Sequence, residues 1–165
     1  MEQKQVTAIY PGSFDPITLG HLDILKRASF LFNNVIIAVA INLEKKPMFS
    51  QETRVQMIRE VTKNIDNIKV DSFSGLLVNY AKEKEATVIV RGIRALSDYE
   101  YEFNMALMNR SLDESITTTF LVAHQKYTHL SSSLVREVAS LGGDVSNLVP
   151  QYVVDELQRK LNSAN

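Results

Sequence analysis

Residues 8–21, AIYPGSFDPITLGH, decide how the rest of this chain is organised. The stretch begins as an apolar strand, breaks at Pro11-Gly12 and re-enters regular structure near Thr18. A strand that turns sharply into a helix places the unpaired N–H groups of that helix at the strand's carboxyl end, where a phosphate can bind. Gly12 and Gly20 would let the backbone approach such a ligand closely, and His21 would lie beside the helix terminus.

Apolar runs alternate with helical stretches along the whole chain. Five runs predict strands, at about residues 6–10, 35–41, 68–73, 87–90 and 117–123. Helices are predicted at about residues 18–32, 50–64, 75–85, 98–112, 131–141 and 150–161. Strands that alternate with helices imply right-handed crossovers and a parallel sheet. The sequence therefore predicts an α/β fold, a single doubly wound Rossmann-like domain over residues 1–165 with a five-stranded parallel sheet flanked by helices.

Composition restricts the classes of function. The net charge is −1 with no block of like charges, so no broad surface for nucleic acid or an anionic membrane is expected. The absence of cysteine excludes disulfides, thiol chemistry and a cysteine zinc site. The longest apolar run, residues 35–41, is too short to span a bilayer, and the polar N-terminus leads directly into a strand. We therefore expect a cytoplasmic protein.

Positive charge collects at the predicted carboxyl ends of the strands, where doubly wound sheets bind their ligands. One lysine, two arginines, one histidine and two helix N-termini fall there: Lys45, Arg91, Arg94, His21, and the helices that begin near Thr18 and at Ser131-Ser132-Ser133. Because the chain is slightly negative overall, this local concentration favours a multiply anionic ligand, most simply a polyphosphate. The G-x-G-x-x-G pattern and the Walker A sequence are both absent, which argues against an ordinary Rossmann dehydrogenase and a P-loop NTPase.

Each motif also has a purely structural explanation. The motif Thr18-x-Gly20-His21 is weak by itself because Gly20 can serve helix packing, and Lys45-Lys46 is more often a solvated loop. Capping a helix uses only one of three serines. The motif Arg91-Gly92-Ile93-Arg94 favours function more strongly, because it directs charge from an apolar strand to the ligand-binding edge. His124 and His129 lie in a polar loop and by themselves indicate no site.

Together these motifs resemble bacterial phosphopantetheine adenylyltransferases over essentially the whole chain. The resemblance rests on YPGSFDP at residues 10–16, T-x-G-H at 18–21, KKPMF at 45–49, RGIR at 91–94 and SSS-x-x-R at 131–136. It implies transfer of AMP from ATP to 4′-phosphopantetheine, which gives dephospho-coenzyme A and pyrophosphate. It also implies magnesium (Mg2+), a homohexamer and feedback inhibition by coenzyme A.

By position, the resemblance implies two sets of substrate contacts. The contacts with ATP fall on Ser13, Phe14, His21, Gly92, Ile93, Arg94, Glu102, Tyr127, Thr128, His129, Leu130, Ser131, Ser132 and Ser133. The contacts with phosphopantetheine fall on Ser13, Lys45, Leu77 and Arg91. No protein ligand to the metal is expected, because triphosphate oxygens and water can fill most of the magnesium shell.

The implied reaction needs no catalytic base. The attacking phosphate is already ionised at neutral pH, and pyrophosphate leaves as a stable anion, so alignment and charge neutralisation at the α-phosphorus can supply the catalysis. We expect His21 and Arg94 to contact the transferring and leaving phosphates. We expect Lys45 to bridge the acceptor phosphate and the α-phosphate, and Ser132 with its helix N-terminus to hold the β- and γ-phosphates.

Other functions stay open at this point. A sibling nucleotidylyltransferase acting on nicotinamide mononucleotide or a polyol phosphate would use the same core motifs, and only the surroundings of Lys45, Leu77 and Arg91 argue against it. A non-catalytic nucleotide-binding module would not need Lys45 and His21 on opposite sides of one phosphorus. A fragment of a class I tRNA synthetase is disfavoured because the chain has no tRNA-binding extension and no basic face. The helix predicted from Asp98, with its aromatic residues, fits a core position and an oligomer interface equally well.

Overall fold

The computed structural model describes residues 5–42 and 46–163 of the chain. Its strands are β1 (Thr7–Gly12), β2 (Asn34–Ala40), β3 (Ile68–Phe73), β4 (Val88–Ile93) and β5 (Thr117–Val122). Its helices are α1 (Leu19–Leu31), α2 (Gln51–Thr62), α3 (Leu77–Glu83), α4 (Leu96–Leu112), α5 (Ser132–Ser140) and α6 (Gln151–Asn162). The strands form a parallel sheet in the order β3-β2-β1-β4-β5. This arrangement confirms the predicted Rossmann-like α/β fold.

The central strands are buried on both faces, which explains their continuous apolar sequences. Ile9, Ile36 and Ile89 face a cluster that contains buried side chains of α3. The intervening residues, such as Tyr10 and Ile37, face a larger cluster built from α1, α2, α5 and α6. The alternation of side chains along each strand thus separates two apolar cores, one on each side of the sheet.

The strand order changes direction at β1, which makes the boundary between β1 and β4 the topological switch point. β1 pairs with β2 over its full length, from Thr7–Asn34 to Gly12–Val39. Its pairing with β4 is much shorter, because only Ala8–Val88 and Ile9–Ile89 are partners. Beyond these residues the carboxyl ends of β1 and β4 no longer pair, and the crevice in which such sheets bind ligands opens between them.

The predicted break of β1 at Pro11-Gly12 is wrong. Both residues continue the strand, in register with Ala38 and Val39 of β2. Proline lacks the N–H that a strand interior normally donates. At Pro11, however, β1 is no longer paired with β4. The missing N–H therefore costs no hydrogen bond to β4.

Two other boundaries also differ from the prediction. β4 extends to Ile93, because Arg91 and Gly92 stay paired with β5. α4 begins at Leu96, and no side chain caps it. Asp98 lies in its first turn, where its carboxylate is occupied by Arg94 rather than by the helix N-terminus.

Helix α4 exposes much of its apolar surface. Seven of its large apolar side chains are between 40% and 64% exposed: Tyr99, Tyr101, Phe103, Met105, Leu107, Met108 and Leu112. Val122, at the end of the outer strand β5, is also 64% exposed. Within one chain, these residues therefore lie outside the core. α4 has 17 residues, and none of the described helices combines the length and apolarity needed to cross a bilayer.

Candidate active site

A cavity of about 460 Å³ lies at the carboxyl ends of β1 and β4. Small-molecule sites typically occupy roughly 300–1,000 Å³. Its walls come from the turn after β1, the segment before α2, the end of β4 and the start of α5. Twelve of the predicted site residues line it: Ser13, Phe14, His21, Arg91, Gly92, Arg94, Glu102, Tyr127, Leu130, Ser131, Ser132 and Ser133. Motifs up to about 120 residues apart in sequence therefore meet at this cavity.

Four predicted residues in the described part of the chain are not among those that line the cavity. Ile93, Thr128 and His129 adjoin lining residues in sequence without lining the cavity themselves. Leu77 begins α3 and packs, partly buried, against the core on the α3 face of the sheet. Lys45 lies outside the described residues. The substrate contacts assigned to these five residues stay predictions.

The turn after β1 is built around the ring of Phe14, which is 2% exposed. This ring meets those of Tyr10 and His21 edge-on, with centroids 5.4 and 5.1 Å away. A Cβ atom on Gly12 would lie 2.8 Å from Phe14 Cζ, so glycine at this position is required by the packing of the ring. Phe14 itself has a φ of 45°, in the left-handed region that non-glycine residues rarely adopt. Tight packing around the ring holds this strained backbone in place.

His21 is fixed by a capping box with Thr18 at the start of α1. Its Nδ1 accepts a hydrogen bond from the Thr18 N–H at 3.1 Å, and its own N–H donates to Thr18 Oγ1 at 3.3 Å. An imidazole that accepts through Nδ1 carries its proton on Nε2. Burial lowers the pKa of His21 to about 4, and the charge of Arg94 acts in the same direction. At neutral pH His21 is therefore a neutral N–H donor, rather than one of the cations that the sequence places at this edge.

The lowered pKa of His21 predicts a loss of stability in acid. In an unfolded chain a histidine titrates at about pH 6.5. As the pH falls from about 6.5 towards 4, the unfolded chain binds a proton that the folded chain does not, so the free energy of unfolding decreases. An NMR titration of the His21 ring should have its midpoint near pH 4. The His21→Gln variant should lose this part of the pH dependence of thermal unfolding, and a ring that titrates near pH 6.5 would contradict the geometry.

Arg91 and Glu102 form a two-pronged ion pair at one side of the cavity. Nε and Nη2 of Arg91 donate to the two carboxylate oxygens of Glu102 at 2.6 and 2.5 Å, and Nη1 donates to the Pro11 carbonyl at 3.1 Å. Burial acts to lower the pKa of Arg91, but the Glu102 carboxylate outweighs it and raises this pKa. The pair links α4 to the end of β4, and the Pro11 contact links both to β1. The ion pair thus joins Arg91, which is predicted to bind phosphopantetheine, to Glu102, which is predicted to bind ATP.

Arg94 is held between α4 and the loop before α5. Its Nε and Nη2 donate to the Asp98 carboxylate at 3.1 and 3.2 Å, and Nη1 donates to the Leu130 carbonyl at 2.9 Å. Burial acts to raise the pKa of Asp98, but the bonds from Arg94 lower it. The guanidinium is thus oriented before any ligand arrives.

The three serines at the start of α5 have different partners. Ser131 caps the helix, since its Oγ accepts from the Leu134 N–H at 3.1 Å. Ser132 Oγ donates to the Pro16 carbonyl at 2.7 Å, and Ser133 Oγ accepts from an arginine one turn later at 3.2 Å. The first N–H groups of α5 have no acceptor within the helix, as at any helix N-terminus, so they are available to an anion.

The described wall of the cavity carries five cationic side chains and three carboxylates: Lys46, Arg54, Arg91, Arg94 and Arg136, with Asp15, Asp98 and Glu102. Each carboxylate has an arginine partner. Within the described part of the chain, Lys46 and Arg54 have no carboxylate in ion-pair contact, which leaves the wall with a positive excess for an anionic ligand.

Sequence reasoning missed the roles of Asp15 and Arg54, and it quoted Arg136 in a motif without giving it a function. Asp15 contacts residues 33 and 34 positions away, and Arg54 donates to a carbonyl 41 positions away. The Arg136 contact with Asp15 spans 121 positions. Local sequence patterns cannot predict contacts between residues so far apart in the chain. The available signal was a carboxylate between Phe14 and Pro16, in the turn that the sequence predicts to bind phosphate.

The described side chains of this cavity do not group into a metal site. Across residues 5–42 and 46–163, no three His, Asp or Glu side chains are grouped so that they could hold a metal ion. Asp15, Asp98 and Glu102 are committed to arginines, so they are poor candidates for free magnesium ligands. The described donors therefore do not fit a magnesium ion held by the protein alone.

Comparison with known proteins identifies the family. Residues 9–138 match the family model described as cytidylyltransferase-like. The phosphopantetheine adenylyltransferase of Clostridium botulinum (strain Langeland) is 53% identical over 156 residues, which cover 94% of this chain and 95% of the relative. The chain belongs to the phosphopantetheine adenylyltransferase family. The member of this family from Clostridium novyi is 53% identical over 154 residues, which cover 93% of this chain and 96% of the relative. Phosphopantetheine adenylyltransferases are nucleotidyltransferases, and the resemblance found in the sequence is confirmed.

Solved structures support the same fold at much lower identity. A Vibrio parahaemolyticus protein assigned as a nicotinate-nucleotide adenylyltransferase has a TM-score of 0.73 and 18% identity, over 93% of this chain and 99% of that one. The nicotinic acid mononucleotide adenylyltransferase of Plasmodium falciparum, complexed with NaAD, has a TM-score of 0.69 and 18% identity, over 94% and 95% of the two chains. At this identity, the likeness shows that the phosphopantetheine adenylyltransferase family shares its fold with these proteins.

Proposed function

We propose that this chain transfers AMP from ATP to 4′-phosphopantetheine, which yields dephospho-coenzyme A and pyrophosphate. The observation that carries the proposal is the convergence of Ser13, His21, Arg94 and the N-terminus of α5 on one cavity beside β1 and β4. Two phosphorylated substrates bring many negative charges, and the positive excess of the wall is suited to them. The names of the relatives in the two Clostridium species support the same reaction.

The reaction proceeds by direct displacement at the α-phosphorus of ATP. An oxygen of the phosphopantetheine phosphate forms a new bond to that phosphorus, and the bond to the β-phosphate breaks as pyrophosphate leaves with the electron pair. No proton has to be removed from the attacking phosphate. His21 is unsuited to be a base, because Nδ1 already accepts from Thr18 and Nε2 carries the proton. Catalysis then depends on alignment and on stabilising charge at the α-phosphorus.

The ATP half of the site is assigned to His21, Arg94 and α5. His21 donates Nε2–H to an α-phosphate oxygen, where negative charge develops in the transition state. Arg94, oriented by Asp98 and Leu130, neutralises the leaving phosphates. The N-terminus of α5 receives the β- and γ-phosphates through backbone N–H groups. Ser132 contributes there through its backbone, because its hydroxyl donates to Pro16.

The acceptor half of the site is assigned to Ser13, Lys45, Leu77 and Arg91. Ser13 and Arg91 line the cavity, which supports their assignment. The assignments of Lys45 and Leu77 rest on the resemblance alone. Lys46 adds positive charge to the same wall. We place magnesium on the triphosphate, as part of the ATP substrate, because the described carboxylates are bound to arginines.

Pyrophosphate release tests the proposed function directly. The purified chain is incubated with ATP, magnesium and one acceptor at a time: phosphopantetheine, nicotinamide mononucleotide, nicotinate mononucleotide or a polyol phosphate. We expect pyrophosphate release only when phosphopantetheine is the acceptor. Mass spectra of that reaction should show dephospho-coenzyme A. Release with another acceptor would instead support a sibling nucleotidylyltransferase. ATP binding without release under any acceptor would support a non-catalytic module.

We also propose that the chain assembles as a homohexamer through α4. The exposed apolar residues of α4 lie along two stripes, one containing Phe103 and Leu107 and the other Met105 and Met108. The two stripes lie on opposite sides of α4, and a monomer rarely leaves extended apolar surface of this kind in water. Light scattering should give the mass of six chains. Leu107→Glu should lower this mass, whereas the matched change Leu141→Glu, at a leucine 81% exposed after α5, should not. A wild-type monomer would contradict the assembly.

The resemblance also suggests regulation by coenzyme A, which contains the phosphopantetheine arm of the product. We propose that coenzyme A competes for the acceptor half of the cavity, so that it raises the KM for phosphopantetheine. We also propose a cytoplasmic location and a single nucleotidylyltransferase domain over residues 1–165.

A further inference from the structure

The carboxylate of Asp15 is almost fully buried beside the cavity, with 6% of the residue exposed. Both of its oxygens are used. Oδ2 accepts from the Met48 N–H at 2.9 Å, and Oδ1 accepts from the Phe49 N–H at 3.0 Å. A buried carboxylate is costly unless it is well paired, so two backbone donors at good distance indicate an anchoring contact. Asp15 thus connects the turn after β1 to the segment that leads into α2.

That segment forms one wall of the cavity. Lys46 and Pro47, directly before the anchored residues, both line the cavity. Phe49 is 3% exposed and packs in the larger apolar core. The Asp15 carboxylate therefore fixes how far this wall lies from Ser13, which is at the opposite end of the same short turn.

The other side of Asp15 faces α5. Oδ2 lies 3.6 Å from Nη1 of Arg136, and the same nitrogen donates to the Asp15 backbone carbonyl. Ser132, at the start of α5, donates to the carbonyl of Pro16. The turn is also bound from α2, because Arg54 Nη1 donates to the Ser13 carbonyl at 2.8 Å. The segment before α2, helix α2 itself and helix α5 are thus all attached to residues 13–16.

We propose that Asp15 is a positioning residue for the acceptor half of the site. It acts by holding the wall around Lys46 and Pro47 at a fixed distance from the turn that carries Ser13. The inference rests on the proposed function, since it concerns alignment of the acceptor phosphate with the α-phosphorus. Misplacing a reacting group by about 1 Å can cost on the order of 100-fold in rate.

The test uses Asp15→Asn in the full chain. Asparagine keeps one acceptor but presents N–H groups to the other backbone donor, so one of the Met48 and Phe49 contacts is lost. Arg136 keeps its bonds to the Asp15 carbonyl and to Ser133, so the α5 wall is retained. We expect kcat/KM for phosphopantetheine to fall by on the order of 10–100-fold, with a much smaller change in the KM for ATP. Amide hydrogen exchange at Met48 and Phe49 should become faster.

Asp144→Asn is the matched control. Asp144 also accepts a backbone N–H, from Ser146 at 2.8 Å, but it is exposed and does not line the cavity. It should leave both KM values unchanged. Asp15→Glu, which keeps the charge and displaces the carboxylate by one methylene, is the second variant if asparagine prevents folding. This variant should also lower kcat/KM for phosphopantetheine, with a much smaller change in the KM for ATP.

Three outcomes would count against the inference. A wild-type kcat/KM for phosphopantetheine in a folded Asp15 variant would overturn it, as would equal rises in the two KM values together with a lower thermal midpoint, which indicate general destabilisation. Unchanged exchange at Met48 and Phe49 would also overturn it. If the wild-type chain releases no pyrophosphate with phosphopantetheine, the proposed function itself fails and this inference fails with it.

Discussion

His21→Ala should lower kcat by on the order of 100–1,000-fold while changing the KM for either substrate far less. The reason is that the Nε2–H donor is held by its capping contact at Nδ1 and, in the proposed mechanism, meets developing charge mainly in the transition state. An interaction of this kind appears in kcat rather than in ground-state binding. Steady-state kinetics of pyrophosphate release, with each substrate varied in turn, measures both parameters.

Two variants separate this effect from the role of His21 in capping α1. His21→Gln keeps an acceptor for the Thr18 N–H, so helix stability should be largely retained while kcat stays well below wild type. His124 provides the matched histidine, because its Nδ1 also accepts a local backbone N–H, from Lys126 at 3.2 Å, and it does not line the cavity. His124→Ala should therefore keep wild-type kcat. Near-normal turnover in the His21→Ala variant would contradict the role assigned to His21.

The sequence predicted the fold well because the sheet is buried on both faces. A strand such as β2 must be apolar at nearly every position, and its run of β-branched residues is hard to mistake. The ends of β1 and β4 were harder, because Pro11, Gly12 and Gly92 are residue types that are depleted in strands. Their extended backbone is set by neighbouring strands, through pairing with β2 and β5. Pairing with neighbouring strands, rather than the local sequence, therefore sets where β1 and β4 end.

The site was predictable in its motifs but not in its internal contacts. The rule that ligands bind at the carboxyl ends of parallel strands was enough to bring His21, Arg94 and the α5 serines together. It could not tell that His21 is neutral, because that depends on burial and on the nearby Arg94. Nor could it assign Asp15, whose partners are distant in sequence.

Helix α4 illustrates a further limit of sequence reasoning. Its aromatic and aliphatic residues occur at helical spacing, which fits a core helix and an assembly interface equally well. The exposure of these side chains in the folded chain argues against a core position, and the assembly interface stays a proposal. The sequence of a helix records which faces are apolar, whereas what covers them is a property of the fold and the assembly.

Arg94→Gln should reduce kcat/KM for ATP by on the order of 100–1,000-fold, through two effects that act together. In the proposed mechanism, the variant loses the guanidinium that neutralises the leaving phosphates. It also leaves the Asp98 carboxylate, now bonded to Arg94 at 3.1 and 3.2 Å, without its cation beside an anionic substrate. The Asp98 carboxylate then repels the substrate phosphates that Arg94 would have attracted. The fall in kcat/KM should therefore exceed the effect of losing one hydrogen bond.

The double variant Arg94→Gln/Asp98→Asn separates these effects. If the unpaired carboxylate contributes, the double variant should recover part of kcat/KM relative to Arg94→Gln, because its wall carries one negative charge fewer. Asp98→Asn alone should have a modest effect, since Arg94 keeps its bond to the Leu130 carbonyl at 2.9 Å. Raising the ionic strength should weaken the repulsion and narrow the difference between the single and double variants. Wild-type kcat/KM in Arg94→Gln would show that Arg94 serves only to join α4 to the loop before α5, and the leaving phosphates would then need another cation in this wall.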